Sequence, residues 1–291
     1  MSGSSSSYDE STIPHCYRHP NRETYISCQR CGRPICPDCM RQASVGYQCP
    51  ECVREGRVAT RQARTSFGAI SRASTSIVTV TLIAINVVVW ILANVSERIY
   101  NELIMLPKAS AGQQQFYGVE GVAQGHYWEL ITTTFLHQQF VHILLNMVGL
   151  WIFGSFLESQ LGRLRYLGLY LVCGFVGSVT TYWVAAPNSS SLGASGAIFG
   201  LFAAALVVLL RLHRNVTQLL VLLALNLVIT FTVPDIAWQA HVGGLFAGLV
   251  IGYAFAYAPR ERRTLIHVGT LVLFTALAVA ATVLRTAALN G

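Results

Sequence analysis

Seven apolar runs, near residues 77–95, 141–158, 166–186, 195–211, 216–233, 237–257 and 265–284, leave this chain few choices. Read as helices, they are each long enough to cross a roughly 30 Å hydrocarbon layer. A helix satisfies its own backbone there, where water cannot. Charged residues make up 11% of the chain, against about 25% in a soluble domain. The expected class is an all-α membrane protein preceded by a small cysteine-rich domain. Residues 1–14 have no apolar core and the first run starts only near Ser76, so no cleaved leader is expected.

Basic residues then orient the runs, because Lys and Arg collect on the inner side of a membrane. With the N-terminus inside, the inner segments hold seventeen of them and the outer segments only Arg98, Lys108 and Arg285. This predicts a cytoplasmic N-terminal domain and, if all seven runs span, an outer C-terminus. The formal charge of +7 has the same origin. No nucleic-acid-binding motif accompanies it, so no nucleic-acid partner is expected; the lipid bilayer is the surface these flanking charges meet. The long segment 96–136 has no run of spanning length and carries Tyr127 and Trp128, which suit an interfacial loop.

The cysteines are uneven. Seven of the eight fall before residue 53, as Cys16-x2-His19, Cys28-x2-Cys31, Cys36-x2-Cys39 and Cys49-x2-Cys52. Four knuckle pairs give eight ligands, enough for two tetrahedral structural zinc ions. In a reducing cytoplasm disulfides are the weaker reading. With four residues between Cys31 and Cys36, a cross-brace is expected, first pair with third and second with fourth; sequential pairing is the alternative. Filled coordination leaves no open catalytic position. The segment is expected to be a fold held by metal, serving a cytoplasmic protein partner. Residues 1–14 are expected to be disordered, 15–53 to form this module, and 54–76 to be a basic linker.

The chemistry concentrates in the membrane part. Gly193-Ala194-Ser195-Gly196 puts a serine at the mouth of the fourth run, and His241 heads the sixth. Counting back from Arg211 and Arg260 at 1.5 Å per residue, the two sit about 24 and 28 Å above the inner boundary. Below Ser195 runs a stripe of Gly196, Gly200 and Ala204; below His241 runs Gly244, Gly248 and Gly252. Such stripes let helix backbones nearly touch. They can be packing devices alone, yet each is headed by a reactive side chain at matching depth. Together they predict Ser195 and His241 within hydrogen-bond reach, a nucleophile beside a general base. Asp235 is a weak candidate for an orienting acid, so a dyad is expected. His142 and Asn146 share a face of the second run at i, i+4 and offer donors for an oxyanion hole with the Ser195 N–H. Phe199, one turn below Ser195, is expected either to stack on His241 or simply to pack in the core.

His142-x3-Asn146, Gly193-Ala194-Ser195-Gly196 and Ala240-His241-x2-Gly244-x3-Gly248 together resemble the rhomboid family of intramembrane serine proteases. The resemblance covers about residues 77–258. It implies a six-helix core, with residues 259–291 adding a seventh transmembrane helix. It implies Ser195 as nucleophile, His241 as base, and His142 and Asn146 at the oxyanion, with Gly193, Phe199 and Gly244 in support. No catalytic cofactor is implied. The substrates implied are transmembrane proteins, cut near the outer face, with the fifth run and outer loops admitting them. The family often has Trp-Arg where this chain has Trp128-Glu129, which puts a role for that arginine in doubt here. The metal module resembles a B-box zinc finger, of a kind attached to some bacterial rhomboid-like proteins, and a plasma-membrane location follows. The alternative is a rhomboid-like adaptor that binds membrane helices without cutting them. A transporter would want polar groups deep in the helices, and there are almost none.

Overall fold

The computed structural model describes residues 13–59, 64–69, 76–117, 120–234 and 236–291. The chain forms two units, Met1–Ala63 and Arg64–Gly291. The expected disorder of residues 1–14 falls almost wholly outside the described residues, as do parts of the 54–76 linker.

In the first unit, β1 (His15–Cys16) pairs antiparallel with β2 (His19–Glu23), and β3 (Arg41–Gln42) pairs with β4 (Tyr47–Gln48). A helix, α1 (Pro50–Ala59), follows, with proline at its first position where its missing N–H costs nothing. Among the described residues, the buried apolar cluster of this unit contains, apart from cysteines, only Ile35, with Tyr17 and Met40 leaning on it. That is far too little apolar burial to hold such a short segment.

The second unit is built from helices joined by loops. It runs through α2 (Ile77–Val95), α3 (Glu97–Leu103), α4 (Ala111–Tyr117) and α5 (Glu129–Thr132). Next come α6 (Phe140–Gly149), a π-helical stretch Leu150–Gly154, and α7 (Ser155–Leu161), which form one continuous rod. Then follow α8 (Arg163–Val184), α9 (Ser195–Arg211), α10 (Thr217–Thr232), α11 (Trp238–Tyr257) and α12 (Arg263–Asn290). Among the described residues, five helical segments are long and apolar enough to span a bilayer: α2, Phe140–Leu161, α8, α11 and α12. The chain is a multi-pass membrane protein. The two other apolar helices, α9 and α10, are shorter, with 17 and 16 residues. These are about 25 Å long. The chain arrives through a non-helical loop and turns into α9 at Ser195, the start expected from the sequence.

Segment 96–136 is more ordered than an interfacial loop. Its sequence has no helical period because its helices are a turn or two long. Met105, Val122, Leu130 and Leu136 are fully buried, and the Trp128 indole N–H donates to the Glu102 carbonyl at 3.0 Å. Met105 also pairs with Ser191 in both directions, N–H to carbonyl, at 3.1 and 2.9 Å. The segment is thus a shelf under the loop that leads into α9. At the other end of the unit, Glu158 caps α2, taking the Val78 and Thr79 N–H groups and the Thr79 hydroxyl at 2.9–3.0 Å. A carboxylate at a helix N-terminus offsets the exposed N–H dipoles. Phe67, ahead of α2, is also buried in the core of this unit.

Helices α9 and α11 cross at their glycine stripes. A Cβ on Gly244 would collide with the Gly196 carbonyl, one on Gly248 with that of Gly200, and one on Gly252 would lie 2.8 Å from the Ala204 Cα. The two stripes seen in the sequence are each other's partners. Helix α8 closes on the same seam, where a Cβ on Gly177 would stand 2.8 Å from the Ala240 carbonyl.

Candidate active site and metal centres

The glycine seam brings the heads of the two helices together. Ser195 Oγ lies 2.7 Å from His241 Nε2. Ser195 is the first residue of α9, so its hydroxyl sits beside the unpaired N–H groups of a helix N-terminus. The His241 ring is buried and stacks on Phe199, centroids 4.3 Å apart and planes within 12°. Of the two expectations for Phe199, stacking is the arrangement found.

The turn into Ser195 depends on Gly193. Its φ of +123° is in the region side chains avoid. A Cβ there would lie 2.8 Å from His142 Nε2 and 3.7 Å from Ser195 Oγ. His142 and the serine therefore flank the same point. The Gly193 N–H donates to the Thr133 carbonyl at 3.0 Å, and the Thr133 hydroxyl to the Ser191 carbonyl at 2.5 Å, tying the turn to the shelf. Asn146 is buried on the face of α6 that carries His142, and its amide nitrogen donates to the His142 carbonyl at 3.0 Å. One amide hydrogen remains. Asp235 lies outside the described residues.

Two side chains escaped the sequence reading. Thr230 of α10 is buried, its Oγ1 2.8 Å from His241 Nδ1. His137 is fully buried, and its Nε2 accepts a long bond, 3.4 Å, from the Ala194 N–H. Burial, and then the neighbouring His142, push the His137 pKa down to about 3, so it is a neutral acceptor. The His137 ring meets the His142 ring edge-on at 5.1 Å. The signal for Thr230 was its i, i+4 spacing from Asn226 on an otherwise apolar run; for His137 it was only nearness to His142.

The departure at Glu129 has a structural account. Its carboxylate is buried in the shelf, Oε2 accepting the Leu106 N–H at 2.9 Å and Oε1 facing His126 Nδ1 at 3.2 Å. His126 Nε2 in turn faces Glu120 at 3.2 Å. Burial raises the Glu129 pKa to about 8, the Leu106 N–H working against it. A carboxyl that holds its proton more tightly when folded loses stabilisation as pH climbs from its unfolded value, about 4.3, to 8. The thermal midpoint is expected to fall over that window. Glu129→Gln is expected to flatten the fall, and an unchanged slope in a melting series from pH 5 to 8 would contradict this reading.

A search of family models matches residues 124–258 to the rhomboid domain. The rhomboid relative YdcA of Bacillus subtilis is 35% identical over 148 residues, which is 49% of this chain and 74% of that protein. The chain belongs to the rhomboid family. Rhomboid protease GluP of Bacillus subtilis is 38% identical over 132 residues, 44% of this chain and 26% of that protein. RHOMBOID-like protein 5 of Arabidopsis thaliana is 33% identical over 147 residues, 48% of this chain and 47% of that protein. The matched rhomboid region holds His142, Asn146, Ser195, Thr230 and His241, and leaves the cysteine-rich unit aside.

That unit carries two four-residue clusters, Cys16, His19, Cys36, Cys39 and Cys28, Cys31, Cys49, Cys52, each with its ligand atoms within 4.8 Å of one another. The first knuckle groups with the third and the second with the fourth, the cross-brace arrangement. Either cluster can hold a metal ion. His19 presents Nδ1, 3.3 and 3.4 Å from the Cys36 and Cys39 sulfurs. In the second cluster the Arg33 guanidinium reaches Cys31 Sγ at 3.3 Å and Cys49 Sγ at 3.6 Å, and pairs with Glu51 at 2.6 Å. Such a cation offsets the negative charge of thiolate ligands.

Proposed function

We propose that this rhomboid family member is an intramembrane serine endopeptidase that cuts transmembrane substrates near the outer face of the plasma membrane. The observation that carries the reading is the 2.7 Å Ser195–His241 bond at the mouth of α9. His241 Nε2 accepts the hydroxyl proton as Ser195 Oγ attacks the scissile carbonyl carbon. The carbonyl oxygen becomes an oxyanion, held by the N–H groups at the start of α9 together with His142 and Asn146. Collapse breaks the C–N bond, and the amine leaves with the proton from His241. Water then adds to the acyl-enzyme, giving its proton to His241, and the second product departs as Ser195 recovers its hydrogen. Gly193 and Gly244 support this site by keeping His142 and His241 close to the serine, and Phe199 holds the His241 ring.

The two Cys/His clusters fit zinc. A tetrahedral zinc–thiolate site, with bonds of about 2.3 Å, sets its sulfurs about 3.8 Å apart; Cys31 and Cys49 are 3.8 Å apart. Zinc here supplies structure, with four protein ligands and no open position. The cytoplasmic side is assigned to this unit by the charge bias of the flanking segments, with residues 15–53 as the module and 77–258 as the protease core. Its partner there would be a cytoplasmic protein.

The test is reaction of the purified, lipid-reconstituted protein with a fluorophosphonate probe and with model transmembrane substrates. Mass spectrometry is expected to find the adduct on Ser195, lost in His241→Ala, and one main cut in the substrate. Cleavage that survives Ser195→Ala would overturn the assignment. Failure to react with any serine probe would turn the reading toward a non-cutting adaptor.

A further inference from the structure

The hydroxyl of Thr230 has one proton, and the fold shows where it goes. Thr230 Oγ1 lies 2.7 Å from the Asn226 carbonyl oxygen, one turn back on α10. A carbonyl only accepts, so the threonine must donate there. Toward His241 Nδ1, at 2.8 Å, the same oxygen can then only accept. The imidazole must therefore carry its hydrogen on Nδ1. Its Nε2 is left with the lone pair, facing the Ser195 hydroxyl at 2.7 Å. Every proton in the chain Ser195–His241–Thr230–Asn226 carbonyl points the same way.

We infer that Thr230 is a positioning residue that fixes the His241 tautomer able to act as base. The inference rests on the dyad proposed above. It assigns to a neutral hydroxyl the orienting role for which Asp235 was considered from sequence. In the other tautomer the Nε2–H would point at Ser195 and no base would be present. The placement has a further consequence. Thr230 is the only residue of α10 that is buried, so α10 touches the site through this side chain. Movement of α10 away from α11 would release the ring at Nδ1. The base is set only while α10 is seated.

The experiment reads the tautomer as well as the rate. Long-range proton–nitrogen spectra of histidine-labelled, full-length protein, with His241 identified by its loss in His241→Ala, are expected to show hydrogen on Nδ1. In Thr230→Val, which keeps the shape and removes the acceptor, Nε2–H is expected to become populated. Cleavage of a model transmembrane substrate is expected to fall about five- to tenfold, the worth of one neutral hydrogen bond. Thr230→Ser is expected to restore tautomer and rate to within about twofold of wild type. A wild-type spectrum with hydrogen on Nε2 overturns the proposal even where Thr230→Val does not fold. So does a folded Thr230→Val with wild-type tautomer and rate. If instead the tautomer behaves as described but no protein cuts or reacts with a serine probe, the proposed protease function fails and the positioning stands.

Discussion

Ser195→Ala, His241→Ala and the double variant are expected to fall to one common floor, on the order of 10⁴- to 10⁶-fold below the wild-type rate. Residues that share one proton in the rate-limiting step act as a unit. Without the base, the Ser195 hydroxyl is too weakly acidic to attack; without the serine, the base has nothing to activate. The second substitution therefore costs little once the first is made. The 2.7 Å bond and the stacked Phe199 support this coupling. The measurement is product accumulation from a transmembrane substrate in liposomes for all four proteins. A double variant that loses the product of the two single effects would separate the residues and end the dyad. Truncating His241 also empties space under Phe199 and against Thr230, and buried large-to-small changes cost about 2–5 kcal/mol. His241→Gln, closer in size, distinguishes lost chemistry from lost packing.

Why this pair was visible in the sequence, and Thr230 was not, comes down to periodicity. Gly196, Gly200 and Gly244, Gly248 recur every four residues, and a repeat of that kind declares a helix face whatever packs on it. Each face was headed by a side chain that has no business in lipid, and matching depths did the rest. The knuckle spacing was legible for a similar reason: a metal demands ligands at fixed local intervals, so the demand is written in the chain. Thr230 has no such neighbours. It is an ordinary threonine near the end of an apolar run, and hydroxyls there routinely bond to their own helix, as Thr180 and Thr270 do. Only the crossing of α10 and α11 turns it toward His241 Nδ1. The 96–136 shelf was illegible in another way. Its elements, such as Glu129–Thr132, are shorter than the period that would betray them, and its order comes from distant pairings like Met105 with Ser191.

Removing the metals is expected to unfold the N-terminal unit outright. The apolar cluster there is a set of cysteines around Ile35, and no rearrangement of it replaces the several kcal/mol of burial a small domain needs. Structural zinc supplies on the order of 10 kcal/mol per site in comparable small folds, so ligand binding and folding are one event. Chelation of the full-length protein is expected to release two zinc ions per chain, counted with a colorimetric indicator. It should also open residues 14–59 to limited proteolysis, and zinc should restore protection. The two sites should not leave together. Arg33 donates to Cys31 and Cys49 in the second cluster, and its guanidinium also lies over the Tyr17 ring. An outer partner of this kind is worth about 10- to 100-fold in metal affinity. Arg33→Ala is therefore expected to lower the chelator concentration that empties the second site by at least tenfold, with the site of Cys16, His19, Cys36 and Cys39 little changed. Native mass spectrometry across a chelator titration would show this as a one-zinc species in the variant. Loss of both ions at the same concentration in wild type and variant would mean that the guanidinium contributes nothing to holding the metal.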